Sequence, residues 1–309
     1  MIAVENFISS TLATVDAIIA DFVSSAYQGL IQANAEVITM AFTFYIMLIG
    51  YRFLNHNHHF NLQEILRHMI IMMIVYGLIM RWQIYHLFLY NIFTNEPGEI
   101  AKVLVNSTGK LHSNTNIYSA MDAIYLAFNN ASAALFGQVS FSTTSLAFIV
   151  YGLMVFVIGM AMTVYALLLF VYAKLMTAIL LALGPIFILG LLWDATKGLF
   201  AAWLNSLVSL ALIPIITSAI LTLMLSVINT TLPQLNQPIE NIQFYGIVPF
   251  LSLTLATALI LSQVLRISSA LGGGIALASL SAGTSIAASA WNMSGAGLLT
   301  RKVFGGGRR

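Results

Sequence analysis

The sequence predicts an all-α fold: a polytopic helical membrane protein of about five transmembrane helices, with an amphipathic N-terminal helix and a broken or re-entrant segment at 175–193. Three observations carry this. Of 309 residues, 60% are hydrophobic and only 7% charged, where an ordinary globular chain has roughly 45–50% and about 25%. The mean hydropathy is +0.93. The apolar residues also fall into runs of about the 20 residues that cross a bilayer. A soluble chain of this size must show water a largely polar exterior and could not hide so much apolar surface.

The remaining totals exclude whole classes. Twelve Lys+Arg against ten Asp+Glu leave a net charge of +2, which is no charge excess for an extended nucleic-acid surface. Zero cysteines exclude disulfides and thiolate sites. No Lys or Arg precedes Arg52, so the basic head of a cleavable signal peptide is not expected.

Residues 1–34 carry a helical stripe of Ile8, Leu12, Val15, Ile19, Phe22, Ala26 and Leu30, a seam suited to packing against another helix. Two readings stay open: it covers its own domain, or it contacts a partner or a second copy outside the membrane. Residues 35–93 hold two expected spans, 37–53 and 69–93, the second interrupted by Arg81. Next to Arg81, Trp82, Tyr85, Phe88, Tyr90 and Phe93 resemble an aromatic interface belt. Arg81 therefore either snorkels outward or faces a subunit contact or aqueous path. Between the spans, His56, His58 and His59 read as a solvated loop rather than a metal site, since no HExxH motif accompanies them.

Residues 94–144 form the only long polar insert, opened by the turn signal Asn95-Glu96-Pro97-Gly98. Within it Ile117, Met121, Ile124, Phe128 and Leu135 recur near helical spacing, and the segment reads as a periplasmic docking element. Residues 145–266 form the transmembrane core. Here 145–173 is free of charge, 175–193 carries Gly184-Pro185, 198–228 contains Pro214, and 246–265 ends before Arg266. Residues 267–309 read as a Gly/Ala/Ser-rich cytoplasmic tail with a basic end.

Lys and Arg accumulate in short cytoplasmic loops. Five spans with the N-terminus outside keep Arg52, Arg67, Lys174, Lys197, Arg266 and the terminal arginines inside, and leave Lys102 and Lys110 outside. Six full spans would export the terminal cluster, so five spans, N-out and C-in, is the expected topology.

Enzyme chemistry finds no support. The expected spans hold no interior Asp or Glu for an aspartyl dyad. Gly283-Thr284-Ser285 is a weak serine signal with every histidine far upstream. Gly272-Gly273-Gly274 lacks the Lys-Ser/Thr of a phosphate-binding loop. No cofactor and no metal are expected.

The stretch 183–223 contains Gly184-Pro185-Ile186-Phe187, then Asp194-Ala195-Thr196-Lys197, then Phe200 and Trp203, then a long apolar run with Pro214. This pattern resembles the polytopic inner-membrane subunit of bacterial type IV secretion machines, the TrbL/VirB-six family. The layout around it is similar too: a large insert after the second span and a small-residue tail. The resemblance implies a non-enzymatic subunit of the bacterial inner membrane, assembled as a homo-oligomeric ring at the base of the periplasmic stalk or pilus. It further implies contacts with the minor pilin-like stalk subunit, the major pilin and the bitopic assembly scaffold, separate cytoplasmic ATPases as the energy source, and a part in passage of DNA or protein. The residues themselves leave one alternative: a small-solute transporter or channel with its site at the helix break around Gly184-Pro185. Bland roles stand beside these, with Trp193 and Trp203 as interfacial anchors and Asp194–Lys197 as a local ion pair.

Overall fold

The computed structural model describes residues 7–55, 62–107, 117–137, 145–235 and 247–273. Of these, 95% are helical and none is in a strand. The histidine loop at 56–59, Ser285 and the tail beyond Gly273 lie outside the described residues. In chain order the helices are α1 (Phe7–Ala33), α2 (Ala35–Asn55), α3 (Leu62–Met80), α4 (Trp82–Tyr85), α5 (Asn91–Thr94), α6 (Glu96–Ser107), α7 (Ile117–Gly137), α8 (Ser145–Ala182), α9 (Gly184–Leu189), α10 (Lys197–Leu235), α11 (Ile247–Ser262) and α12 (Val264–Leu271). A π-turn, His86–Tyr90, joins α4 to α5, and a 3-10 turn, Gly190–Leu192, follows α9.

Five helical stretches are long and apolar enough to cross a membrane: Ile8–Ala33, Ala35–Arg52, Ile149–Ala182, Lys197–Ile228 and Leu251–Leu271. A sixth candidate is a broken pair, Ile65–Met80 with Trp82–Asn106, bent by 99°. The count agrees with expectation, but its membership differs in two places. The N-terminal helix, read from its stripe as an amphipathic helix apart from the expected spans, qualifies by length and composition. The second expected span is instead cut at Arg81, whose extended backbone (φ −120°, ψ 104°) separates α3 from α4.

The 175–193 segment also divides differently. Residues 175–182 continue α8 without interruption past Lys174, because one long aliphatic-stemmed cation is compatible with a helix. The break comes at Leu183, before Gly184 and Pro185 open α9, with proline at a first turn where its missing N–H costs nothing. Helix α10, by contrast, runs unbroken through Pro214. Pro214 therefore does not end a helix; it only removes the N–H that would have bonded to the carbonyl of Leu210.

Two apolar cores hold the bundle. One joins Ile8 and Leu12 of α1 to Met121, Ile124, Phe128 and Leu135 of α7, Phe170 of α8 and Ile213 of α10. The other gathers Ile19, Val23 and Tyr27 of α1 with Phe42, Ile79, Tyr85, Leu181, Ile188 and Trp203. Helix α1 thus runs from one core into the other. Helix α7 lies along α8, its Phe128 and Phe136 rings seated on Gly159 and Gly152, where a Cβ would collide with them; small residues permit this close approach. The periodicity from Met121 to Leu135 therefore marks a face packed in the chain's own core.

Candidate functional site

The geometry converges on the two chain breaks. A helix that stops inside an apolar setting leaves backbone carbonyls without partners, and each must be satisfied by protein. Pro185 has no N–H, so the carbonyl of Leu181 has no helical donor. The hydroxyl of Tyr85, fully buried, donates to it at 2.5 Å. One residue earlier, the indole N–H of Trp203 donates to the carbonyl of Leu180 at 2.8 Å. At the other break, the Tyr27 hydroxyl reaches the carbonyls of Leu78 (2.7 Å) and Ile79 (2.9 Å) at the end of α3. It has one proton to share between them.

These caps interlock. Tyr27 and Tyr85 have ring centroids 4.5 Å apart, and Trp82 sits 5.0 Å from Tyr27. Gly184 is where α9 meets Tyr85: a Cβ there would run into the tyrosine hydroxyl. Phe187 stacks on Trp203 (5.9 Å, 12° between planes) and Phe200 lies 5.5 Å from the same ring. One aromatic cluster therefore ties the break at Arg81 to the break at Leu183, and α1 supplies part of it.

The turn into α10 is closed by local bonds. Thr196 donates its hydroxyl to the carbonyl of Gly190 at 2.6 Å, satisfying the end of the 3-10 turn. Lys197 bonds Asp194 at 2.5 Å on the surface, and this hydrogen bond holds the Asp194 carboxyl below the ordinary aspartate range. Trp193 packs edge-on against Tyr45 (6.3 Å, 90°), with its indole N–H buried and without a partner among the described residues.

The motif residues Phe187, Phe200 and Trp203 thus meet, as do Trp193, Asp194, Thr196 and Lys197 around their turn. Pro214 stands apart, farther along α10. Arg81 is exposed at its bend. Of the predicted seam, Ile8, Leu12 and Ile19 are buried and Val15 and Leu30 half-buried, but Phe22 is 48% exposed. The buried line shifts instead to Val23 and Tyr27. Steps of 4-3-4-3 average 3.5 residues and leave Phe22 about 40° behind Ile8 on a helix of 3.6 residues per turn, off a face that continues by steps of four from Ile19.

A cavity of about 510 Å³ lies beside this cluster, between α1, the α5–α6 turn, α8 and α10, and Pro214 lines it. Inside it the Asp16 carboxylate accepts from the Tyr118 hydroxyl (2.7 Å) and from the Lys174 ammonium. Lys174 also donates to the Tyr118 oxygen at 2.6 Å. Burial, reinforced by Asp16, pushes the Tyr118 phenol upward, so it remains a donor. Asp122, 4% exposed, accepts the backbone N–H groups of Ile8 (3.1 Å) and Ser9 (3.2 Å). Sequence reasoning missed these charges. The signals were Lys174 interrupting an apolar run and Pro185 stranding a carbonyl.

No group of three or more metal-ligating side chains occurs among the described residues. The family model described as TrbL/VirB6 plasmid conjugal transfer protein matches residues 42–264. The chain belongs to this family. No curated protein matches it. As a TrbL/VirB6 protein it is a multi-pass membrane subunit of a conjugal transfer or type IV secretion apparatus, and its family is one of structural components rather than enzymes. The match spans both breaks, the aromatic cluster except Tyr27, and Lys174, and begins after α1.

Proposed function

We propose that this TrbL/VirB6 protein is a structural and conduit subunit of the bacterial inner membrane, assembled as a homo-oligomeric base for the stalk or pilus. In this reading it contacts the pilin-like subunits and the bitopic scaffold, and contributes to passage of DNA or protein driven by separate ATPases. The observation that carries the reading is the family match over 42–264. The stitched breaks support a building role, because their polar groups are consumed by internal caps and leave little for solute binding there.

Topology follows the charge bias: N-terminus and the 94–144 insert outside, and the arginine-bearing end inside; Lys174, bonded to Tyr118 of the insert, goes with the insert rather than with the inside charges. Single cysteines on this Cys-free chain test it. In intact cells an impermeant thiol reagent should label Ser107→Cys and Asn236→Cys and spare Asn57→Cys and Ser279→Cys until the membrane is opened. Labelling of Ser279→Cys in intact cells overturns the orientation. Deletion should abolish plasmid transfer, and the tagged protein should co-purify with other envelope subunits. Recovery as a lone protein that drives solute flux in liposomes would instead favour the transporter reading.

A further inference from the structure

The two halves of α1 are fastened differently. Toward its C-terminal end, Val23 and Tyr27 are buried to 1% or less in a packed apolar core, and Tyr27 is bonded to α3. Toward its N-terminal end, two cavities lie against the helix. The smaller, about 230 Å³, is bounded by Ile8, Asp122, Tyr125 and Val164; the larger uses Asp16, Ile19 and Ala20 as one wall. Both are clefts open to the surface, lined in part by exposed Ala20 and Val164, so this half of the helix is less completely covered than the other. Beside the apolar contacts of Ile8, Leu12, Val15 and Ile19, this half is held by charged groups that the C-terminal half lacks: the Asp122 carboxylate on the first N–H groups, and Asp16 on Lys174 and Tyr118.

We propose that residues 8–20 of α1 form a latched strap, held shut by Asp122 and Lys174, whose release about a hinge at Val23–Tyr27 opens the larger cavity. The chemistry favours two positions. Closed, every charged group has a partner; released, the groups are hydrated; a half-open state would strand a buried carboxylate or ammonium, which is strongly unfavourable. An anion at a helix N-terminus is also a local latch, because it satisfies donors that no helical carbonyl can reach. The inference rests on the topology above, in which residues 1–34 lie outside the hydrocarbon core, because the released groups must meet water.

Two reporters on the Cys-free chain test it in native membranes with N-ethylmaleimide. Ala211→Cys lines the larger cavity; Ser268→Cys, at a fully buried position of α12 packed on α10, monitors general loosening. Removing one charge-assisted latch, by Asp122→Asn or Lys174→Met, should speed labelling at 211 by about tenfold or more and leave 268 protected. A selective rise at 211 in at least one variant is required. Unchanged labelling at 211 in both variants, or a matching rise at 268 wherever 211 rises, overturns the proposal.

Discussion

Tyr85 and Gly184 offer the sharpest test of how the break is held. Tyr85→Phe removes one oxygen and leaves the Leu181 carbonyl buried with no donor, since Pro185 cannot supply one. An orphaned buried acceptor costs about 1–3 kcal/mol. Gly184→Ala places a methyl group against the same hydroxyl, an overpacking that costs about 1–3 kcal/mol. In the double variant the oxygen is gone and the nearest ring carbons stand 3.0 and 3.1 Å from the new Cβ, a contact that a slight ring shift relieves. The two costs should therefore fall short of additivity by about 1 kcal/mol or more, as expected for groups in contact. The measurement is equilibrium unfolding in mixed micelles for the four proteins, with plasmid-transfer frequency at matched protein level alongside. Strict additivity would falsify the placement of the hydroxyl on Gly184 and with it the stitched-break account.

Other residues give narrower expectations. Trp203→Phe keeps an aromatic face for Phe187 and Phe200 but strands the Leu180 carbonyl; it should lower stability by about 1–3 kcal/mol, and an unchanged unfolding midpoint refutes the capping role. Arg81→Leu should change stability by less than about 0.5 kcal/mol, because the side chain is exposed at the bend; complete loss of transfer at normal protein level would instead place Arg81 in a functional contact. The depressed carboxyl of Asp194 contributes stability above the ordinary aspartate value of 3.8 and loses that contribution as pH falls through its lower folded value. The wild type should thus exceed Asp194→Asn by a small, salt-sensitive margin at neutral pH, with the margin vanishing in acid; a margin that grows in acid contradicts the sign.

Much of the helical inventory was legible because apolar run length and 3.6-residue periodicity are local properties. Met121, Ile124, Phe128 and Leu135 fall on the buried face of α7, and the Gly184-Pro185 pair lies directly after the interruption of α8. What escaped was anything set by distant partners. No local signal tells that Tyr85 caps a carbonyl 96 residues away, or that Asp122 caps a helix 114 residues earlier in the chain. Arg81 looked like a charge within a span because its flanks are apolar; only the 99° bend shows that the chain turns there. Phe22 falls off the buried face because a stripe averaging 3.5 residues per step slips against the 3.6-residue turn of the helix.

Helix length adds a constraint that composition cannot. At about 1.5 Å per residue, the 38 residues of α8 and the 39 of α10 extend nearly twice the ~30 Å hydrocarbon core. A charge-free run such as 145–173 therefore sets an upper limit on the membrane-embedded stretch rather than its position. Helix α7 helps to locate the excess. It is not among the helices apolar enough to span, it exposes Asn129 and Asn130, and yet it covers α8 from Gly152 to Lys174. Much of that portion of α8 is thus shielded by protein, and its apolar surface measures burial against α7, α1 and α10 as well as contact with lipid. A subunit whose two longest helices outrun the bilayer carries helical reach beyond the hydrocarbon core on at least one side. That reach survives interruptions elsewhere in the chain only because the carbonyls at Leu78, Ile79, Leu180 and Leu181 are capped from within.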